Sequence, residues 1–539
     1  MSQAEASAPA AAAIGTSASG GGAGGAPSSS ATIGKNTIWL VLGQGVSMVV
    51  MLLTVPVLLH RLGAEAFGAY TTAMATMGFL GLLQIGAGTA LRKFLADAFA
   101  TGDVDGIRRL TATGLAWAGS VGVVVVALVL FAARPVLVPL LHPSAELRAP
   151  TLWCLWLAGI GLAFDMVGGV LATIPFAAQR MEASTIPDTA VNVASRLSAV
   201  GAVLAGLGLT GLVAMLVVWQ GVRLVWRAIV ARRIVPGLRM APRFHRVETR
   251  RVLRFGGWQL VTDIFGTIAF RVDTLMIGHF WSLSEVPIYS IPMSVCMSVS
   301  GMFGLFHQAV FPEACARMAA GDKRGVRDLY LRHVRTVVAV SSPIFVFLAV
   351  AAPGILALWL GKAADPRMAW VLSCLAASLV VQALTGVQFT YVLAANKPEY
   401  LAWEALGLAP VYILLFLVLI PPLGALGPAA TYGILTLAIV IPVNVVAFGR
   451  ATVGAGAWGH ALSMWGRAVA VAAATFGLAG LLWRAKVGWG LETVGVLGAL
   501  ALCGVLSTKL GLIRRSDVEA AHRALMAFRA SSRLREGTA

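Results

Sequence analysis

Apolar runs of about 20 residues recur along the chain from position 37 to position 510, each long enough to cross a bilayer as a helix. Fourteen spans are expected, near 37–59, 69–91, 110–133, 151–176, 187–208, 209–230, 256–280, 287–310, 336–359, 369–394, 398–420, 425–448, 462–483 and 488–510. With 58% hydrophobic and 12% charged residues in a chain of 539, and a mean hydropathy of +0.84, no water-soluble core could absorb this apolar surface. Hydrocarbon forces the backbone to satisfy its own hydrogen bonds, which helices do. The alternating ten-residue strands of a membrane barrel do not occur in the sequence. The expected fold class is an all-α polytopic membrane protein.

The chain repeats itself. Gly102-Asp103-Val104-Asp105-Gly106-Ile107-Arg108-Arg109-Leu110 returns 219 positions later as Gly321-Asp322-Lys323-Arg324-Gly325-Val326-Arg327-Asp328-Leu329. The same offset carries Tyr70 onto Tyr289 and Lys35 onto Arg254. Each unit holds six spans, an even number, so the two enter the membrane in the same direction. Two parallel six-helix repeats with two further C-terminal helices are therefore expected, the arrangement from which alternating-access transporters are built. Asp103-Val104-Asp105 has the form of a metal-binding DxD site. Its second copy reads Asp322-Lys323-Arg324, so the second carboxylate is not kept. A helix start with Asp103 and Asp322 at its positive end is the simpler reading.

Basic residues orient the chain. Even-to-odd connections and the two tails hold about 28 of the 41 Lys and Arg residues, against about 7 in the odd-to-even connections. Both termini and the basic loops are expected in the cytoplasm. The formal net charge of +18 is mostly this bias and needs no nucleic-acid partner. Residues 1–34, rich in Ala, Gly and Ser, are expected to be a disordered tail without the features of a signal peptide. The expected order is then an N-terminal bundle over 35–230, a basic linker over 231–254, a C-terminal bundle over 255–450, two helices over 451–510 and a basic tail over 511–539. In the linker, Arg243, Arg246, Arg250 and Arg254 recur at helical spacing, which suggests an interfacial helix on anionic lipid. Cys154, Cys296, Cys315, Cys374 and Cys503 form no CxxC pair and read as packing residues. No cofactor or metal motif is expected.

The residues bordering the spans resemble a known family. They include Arg61-Leu62-Gly63-Ala64-Glu65-Ala66-Phe67-Gly68-Ala69-Tyr70, Gln84-Ile85-Gly86-Ala87-Gly88-Thr89-Ala90-Leu91-Arg92-Lys93-Phe94 and Arg271-Val272-Asp273-Thr274-Leu275-Met276-Ile277-Gly278-His279-Phe280. Val286-Pro287-Ile288-Tyr289-Ser290, Phe311-Pro312-Glu313 and Leu358-Trp359-Leu360-Gly361 complete the set. In order and spacing they resemble the polysaccharide-biosynthesis branch of the multidrug/oligosaccharidyl-lipid/polysaccharide (MOP) exporter superfamily, the O-antigen-type flippases, over about residues 36–510. Pro287 departs from the glycine of that pattern. The resemblance implies a V-shaped, MATE-like transporter that moves undecaprenyl-pyrophosphate-linked oligosaccharide from the inner to the outer leaflet of the bacterial inner membrane. It implies a membrane setting, H+ or Na+ as coupling ion, and a polysaccharide polymerase as partner.

Polar residues within the spans are then the candidate sites. Asp188, Asn192 and Arg196 lie four apart on one face of the fifth span. Arg196 and Arg271 are candidate pyrophosphate ligands, because a guanidinium binds phosphate bidentately and keeps its charge. Gln220, Arg223 and Arg227 form a stripe on the sixth span; Arg223 suits first contact with a headgroup and Arg227 snorkelling. Gln44, Gln84, Gln382 and Gln388 suit sugar hydroxyls, or equally bonds between helices. Asp165, which could pair with Arg196, and Asp263, Asp273, Glu404 and His307 are candidates for ion coupling or structural pairing; Glu404 could instead pair with Lys397. Asp273 is expected to snorkel or cap, and His307 to hydrogen-bond at an interface.

Two other functions stand beside the flippase. A polytopic glycosyltransferase or polymerase generally needs long outward loops bearing acids, whereas the longest expected here, 134–150, carries only Glu146 as an acid. No P-loop or nucleophile elbow occurs. A cation-coupled drug exporter of the same superfamily would share the fold but usually has 12 spans and fewer cavity arginines.

Overall fold

A computed structural model describes residues 29–81, 85–178, 180, 182–252, 272–395, 397, 399–436 and 438, with a few single positions between 463 and 498. Helices account for nearly all of it, and no strand occurs among the described residues. The chain divides into two compact units: residues 1–290 with 401–428, and residues 291–400 with 429–539. Residues 256–271 of the expected seventh span, nearly all of the thirteenth and fourteenth spans, Gln84, Asp263, Arg271 and both extreme tails lie outside the described residues.

In the first unit, α1 (Ser29–Leu80) is two helical arms joined at Gly63, which takes φ of 79°. The helix starts inside the stretch expected to be tail up to residue 34. α2 (Ile85–Thr101) follows, then α3 (Val104–Ala132), α4 (Arg148–Ala177), α5 (Glu182–Leu204) and α6 (Gly208–Ile234). α4 packs along both α3 and α6, and α5 packs against α1 and α6. α7 (Val286–Ala319) begins in the first unit and continues into the second. α8 (Lys323–Val350), α9 (Ala352–Leu360) and α10 (Pro366–Ala394) follow, with α10 packed against α8 and α9. α11 (Glu399–Leu423) and α12 (Leu426–Leu435) complete the described helices.

Eight described helices are long and apolar enough to cross a membrane. Tight contacts rest on small residues: Ala69, Ala73, Ala90 and Ala118 have no exposed surface, the pattern expected where close packing replaces a hydrophobic driving force. Phe131 at 80% and Leu358 at 82% exposure would be faults in water. Here they form the hydrocarbon-facing surface. The chain is a multi-pass membrane protein.

The duplicated motif forms the same turn twice. Gly102 and Gly321 take φ of 69° and 68°, a conformation that suits glycine. Asp103 then caps α3 by accepting from Gly106 N at 2.7 Å, and Asp322 caps α8 by accepting from Gly325 N at 2.8 Å. A Cβ at Gly106 or Gly325 would fall 2.2 or 1.9 Å from the capping carboxylate. The Gly, Asp and second Gly of the motif therefore each have a structural cause, and capping accounts for the turn.

Two segments differ from expectation. The loop expected over 134–150 is largely helical: α3 runs on through a π turn (Ala133–Leu137) and a last turn (Val138–Leu141). The wider turn accommodates Pro135, which has no N–H to give. His142, with φ of 47°, ends it, and Ser144 N donates to Glu65 at 2.7 Å. The linker is not one interfacial helix either. Arg243 sits in an extended stretch whose N–H donates to Ala112 O at 3.2 Å, and helix resumes only over 246–252. Arg109 meets Glu248 at 2.9 Å and Arg251 lies 4.1 Å over the Phe94 ring. The first unit thus holds the linker against α2 and α3, which its helical arginine spacing alone did not reveal.

Candidate functional site

α5 is 23 residues long, enough to span, yet it is too polar to count among the eight apolar helices. Ser184, Asp188, Asn192 and Arg196 form a line along one face. The line is internally bonded: Ser184 donates to Asp188 Oδ2 at 3.1 Å and Arg196 Nε donates to Asn192 Oδ1 at 3.0 Å. α6 supplies the facing stripe. Arg227 grips Asp188 with two bonds, Nε to Oδ1 at 3.1 Å and Nη2 to Oδ2 at 3.0 Å. Trp219 Nε1 donates to Ser198 at 2.8 Å and ties the same two helices.

α4 contributes the second acid. Asp165 accepts from Gln220 Nε2 at 3.0 Å and pairs with Arg223 Nη1 at 3.6 Å. The expected Asp165–Arg196 pair does not form, because α4 packs so closely on α6. A Cβ at Gly161 would lie 1.9 Å from Gln220 Oε1, and one at Gly168 would lie 3.3 Å from Arg227 Nη1. Small residues on α4 thus admit the polar stripe of α6 and bring Asp165 to Arg223. Arg227, expected to snorkel, instead holds Asp188 in a part-buried pair, with side chains 17% and 27% exposed.

The ledger of charge within this cluster is uneven. Arg223 pairs with Asp165 and Arg227 with Asp188, and Arg196 adds a third guanidinium on the α5 line. Among the described residues no carboxylate pairs with Arg196, which bonds the neutral amide of Asn192. Its guanidinium is also within electrostatic reach of the Tyr70 phenol on α1. Arg223 Nε and Gln220 Oε1 are buried and find no hydrogen-bond partner among the described residues. One α6 face therefore offers a free donor and a free acceptor beside an excess positive charge. Buried polar atoms are nearly always paired, so such a cluster suits a polar, anionic ligand.

The other candidates lie apart from this cluster. Gln44 is half-buried on α1, next to Gly43, whose Cβ position faces Thr189 of α5 at 2.8 Å. Asp273 neither snorkels nor stays at the surface: it is 1% exposed, accepts from Thr274 N, and receives the Tyr289 hydroxyl. That bond joins the helix over 272–280 to the start of α7. Glu404 is half-buried on α11, within electrostatic reach of Tyr412. In the second unit, Gln382 is half-buried and Gln388 fully buried on α10. His307 does bond at a helix interface, and its partner is another histidine, His333, at 3.0 Å. His333 was not anticipated.

A separate groove of about 890 Å³ is lined by Leu115, Val123, Val167, Leu171, Leu224 and Arg232 among others. Val167 lies two residues from Asp165, about 200° around α4, so the groove and the polar cluster occupy different faces of that helix. Its lining suits a hydrocarbon chain.

The model of the polysaccharide biosynthesis protein family matches residues 33–315, more than half of the 539 residues. The chain belongs to this family. A Shigella flexneri protein named for O-antigen transport is 21% identical over 419 residues, covering 75% of this chain and 94% of that protein. The lipid II flippase MurJ, in an inward closed conformation, matches with a TM-score of 0.66 at 11% identity, over 88% of this chain and 99% of MurJ. An inward-facing multidrug resistance MATE family transporter of the MOP superfamily matches with a TM-score of 0.55 at 14% identity, over 79% and 95%. This polysaccharide biosynthesis family member therefore has the fold that MurJ and the MATE transporters share, as the span-border residues led one to expect. These relatives are named as transporters and flippases, not as enzymes.

Proposed function

We propose that this polysaccharide biosynthesis protein is a flippase that carries undecaprenyl-pyrophosphate-linked oligosaccharide across the bacterial inner membrane, with both termini cytoplasmic. The observation that carries this reading is the guanidinium of Arg196 on α5, which meets no carboxylate among the described residues, together with the buried, unbonded Nε of Arg223 on α6, the helix packed against α5. A pyrophosphate brings two or more negative charges and several acceptor oxygens. An excess positive charge with free N–H groups answers both, at helices otherwise committed to the bilayer. Gln220 and Gln44 add amides that suit the first sugars. The carried lipid keeps its bonds throughout, so the protein's task is differential binding in two states: each state must bind the headgroup differently. An H+ or Na+ gradient would drive the cycle, and a polymerase would consume the product.

The test is reconstitution of purified protein in proteoliposomes holding fluorescent undecaprenyl-pyrophosphate oligosaccharide in both leaflets. Wild type should expose the inner-leaflet pool to an external quencher within minutes, and Arg196→Ala and Arg271→Ala should not. A wild type no faster than protein-free vesicles defeats the proposal. New glycosidic bonds formed by the protein alone would favour the enzyme instead.

A further inference from the structure

In the second unit, α7, α8 and α10 enclose two imidazoles that the headgroup cluster does not use. His307 Nδ1 and His333 Nε2 are 3.0 Å apart, and His333 is 3% exposed. Counting from the helix ends at Ala319 and Lys323, they lie roughly 18 and 15 Å along their helices at ~1.5 Å per residue. Gly386 on α10 makes the space: a Cβ there would fall 2.3 Å from His307 Nε2. Phe306 packs its edge against His333 at 5.5 Å, and Tyr391 lies 6.0 Å away.

Hydrogen bonding fixes where the protons are. His307 also bonds the backbone of Ala383. A carbonyl only accepts, so the single N–H of neutral His307 is spent there. Its Nδ1 must then accept, and His333 Nε2 must donate. That leaves His333 Nδ1 a bare acceptor, buried and without a hydrogen-bond partner among the described residues. The neutral pair has room for one more proton, and its place is His333 Nδ1. Once protonated, that nitrogen becomes a buried charged donor with no acceptor for it among the described residues, which disfavours this arrangement relative to one that supplies an acceptor. Protonation and conformation are thereby linked.

Among the described residues, the surroundings supply no fixed counter-charge at contact distance. From α7 the nearest charged groups are Glu313 and Arg317, bonded to each other at 2.6 Å. From α8 come Tyr330 and Arg332, and from α10 Tyr391 and Gln388. The Tyr391 hydroxyl is itself buried without a hydrogen-bond partner among the described residues. The repeat makes the pair stand out. At 219 positions earlier, His307 and His333 correspond to Gly88 and Gly114, so only the second copy carries imidazoles here.

We propose that the His307–His333 pair is the proton-binding site that couples transport to a pH gradient. This rests on the flippase reading above. The experiment uses proteoliposomes with fluorescent undecaprenyl-pyrophosphate oligosaccharide and a pH dye in the lumen. Two rates are read: substrate exchange at equal pH on both sides, and its acceleration by a pH step together with the accompanying proton flux. Wild type should show both. H333Q and H307Q should keep exchange within about 2-fold while losing the acceleration and the flux. G386A keeps both imidazoles but displaces His307, and should cut the acceleration several-fold; it decides the matter if H333Q does not fold. Acceleration and flux in H333Q equal to wild type overturn the proposal, as does wild-type exchange with no proton flux. No exchange in wild type removes the flippase reading itself.

Discussion

Asp103 and Asp322 cap α3 and α8 with the same atoms at 2.7 and 2.8 Å, yet the polar groups that follow each turn differ completely. The first copy continues into Gly114, packed against Leu91 and Val170; the second continues into His333, bonded to His307. The helix end at His142 and Gly361 shows the same contrast, with φ of 47° and 57° at corresponding positions and only one of them glycine. Duplication has kept the turns, which set where helices start and stop, and released the side chains that face inward. The first unit uses that freedom for an ionic cluster, three arginines against two acids. The second uses it for a neutral imidazole pair. A headgroup with fixed negative charge and a proton that comes and goes call for those two different chemistries.

The largest effect should come from breaking the ionic side of this comparison. Arg227→Ala leaves Asp188 part-buried and without its guanidinium, costing about 3 kcal/mol of stability. A thermal melt of purified protein should fall by several degrees, and Arg227→Ala with Asp188→Asn should recover part of it. Arg196→Ala separates binding from folding, since its bond is to neutral Asn192. Headgroup affinity should drop on the order of 10- to 100-fold with the melt nearly unchanged. The shared turns give a smaller and equal effect. Asp103→Ala and Asp322→Ala should each cost about 1 kcal/mol, while Asn at either position should be nearly silent. Unequal costs in urea unfolding would show that the two caps are not equivalent.

The smallest prediction concerns the start of α10. Asp365 caps it, and the Arg367 side chain and N–H hold its carboxyl below the usual carboxylate range. At the corresponding place α4 has no side-chain cap. A lowered folded-state value means stabilisation present above the unfolded value near ~3.9 and lost as pH falls through the folded one. Acid should therefore loosen the start of α10 below about pH 4, and Asp365→Asn should remove that dependence. Hydrogen exchange of residues 366–370 across this range checks it; equal acid sensitivity in Asp365→Asn contradicts it.

How much of this was legible in the sequence follows from the range of the forces involved. The eight described apolar helices, the duplicated turn and both caps depend on residues within a few positions of one another, which periodicity and motif reading can reach. Partners across helices were not legible. Asp188, Asn192 and Arg196 were placed on one face by spacing, but that Arg227 completes it depends on α5 meeting α6. Asp165 went to Arg223 because Gly161 and Gly168 let α4 approach α6, and nothing in the acid's own neighbourhood says so. His333 falls in the connection before the expected ninth span, 336–359, where sequence pattern points to a surface; the structure buries it. The usable signal was the repeat, which sets His307 and His333 against Gly88 and Gly114. Local spacing likewise suggests an interfacial helix for the linker, whereas the N–H groups of Arg243 and His245, donating to Ala112 O and Thr113 Oγ1, hold its middle out of helix.

The central claim is that the unpaired arginine of α5 reads a pyrophosphate. It is tested most directly by the affinities of wild type and Arg196→Ala for undecaprenyl pyrophosphate and undecaprenyl monophosphate, measured in the same nanodiscs. Wild type should prefer the pyrophosphate by at least about 10-fold, and the preference should collapse in the variant. An unchanged preference in Arg196→Ala would contradict the account.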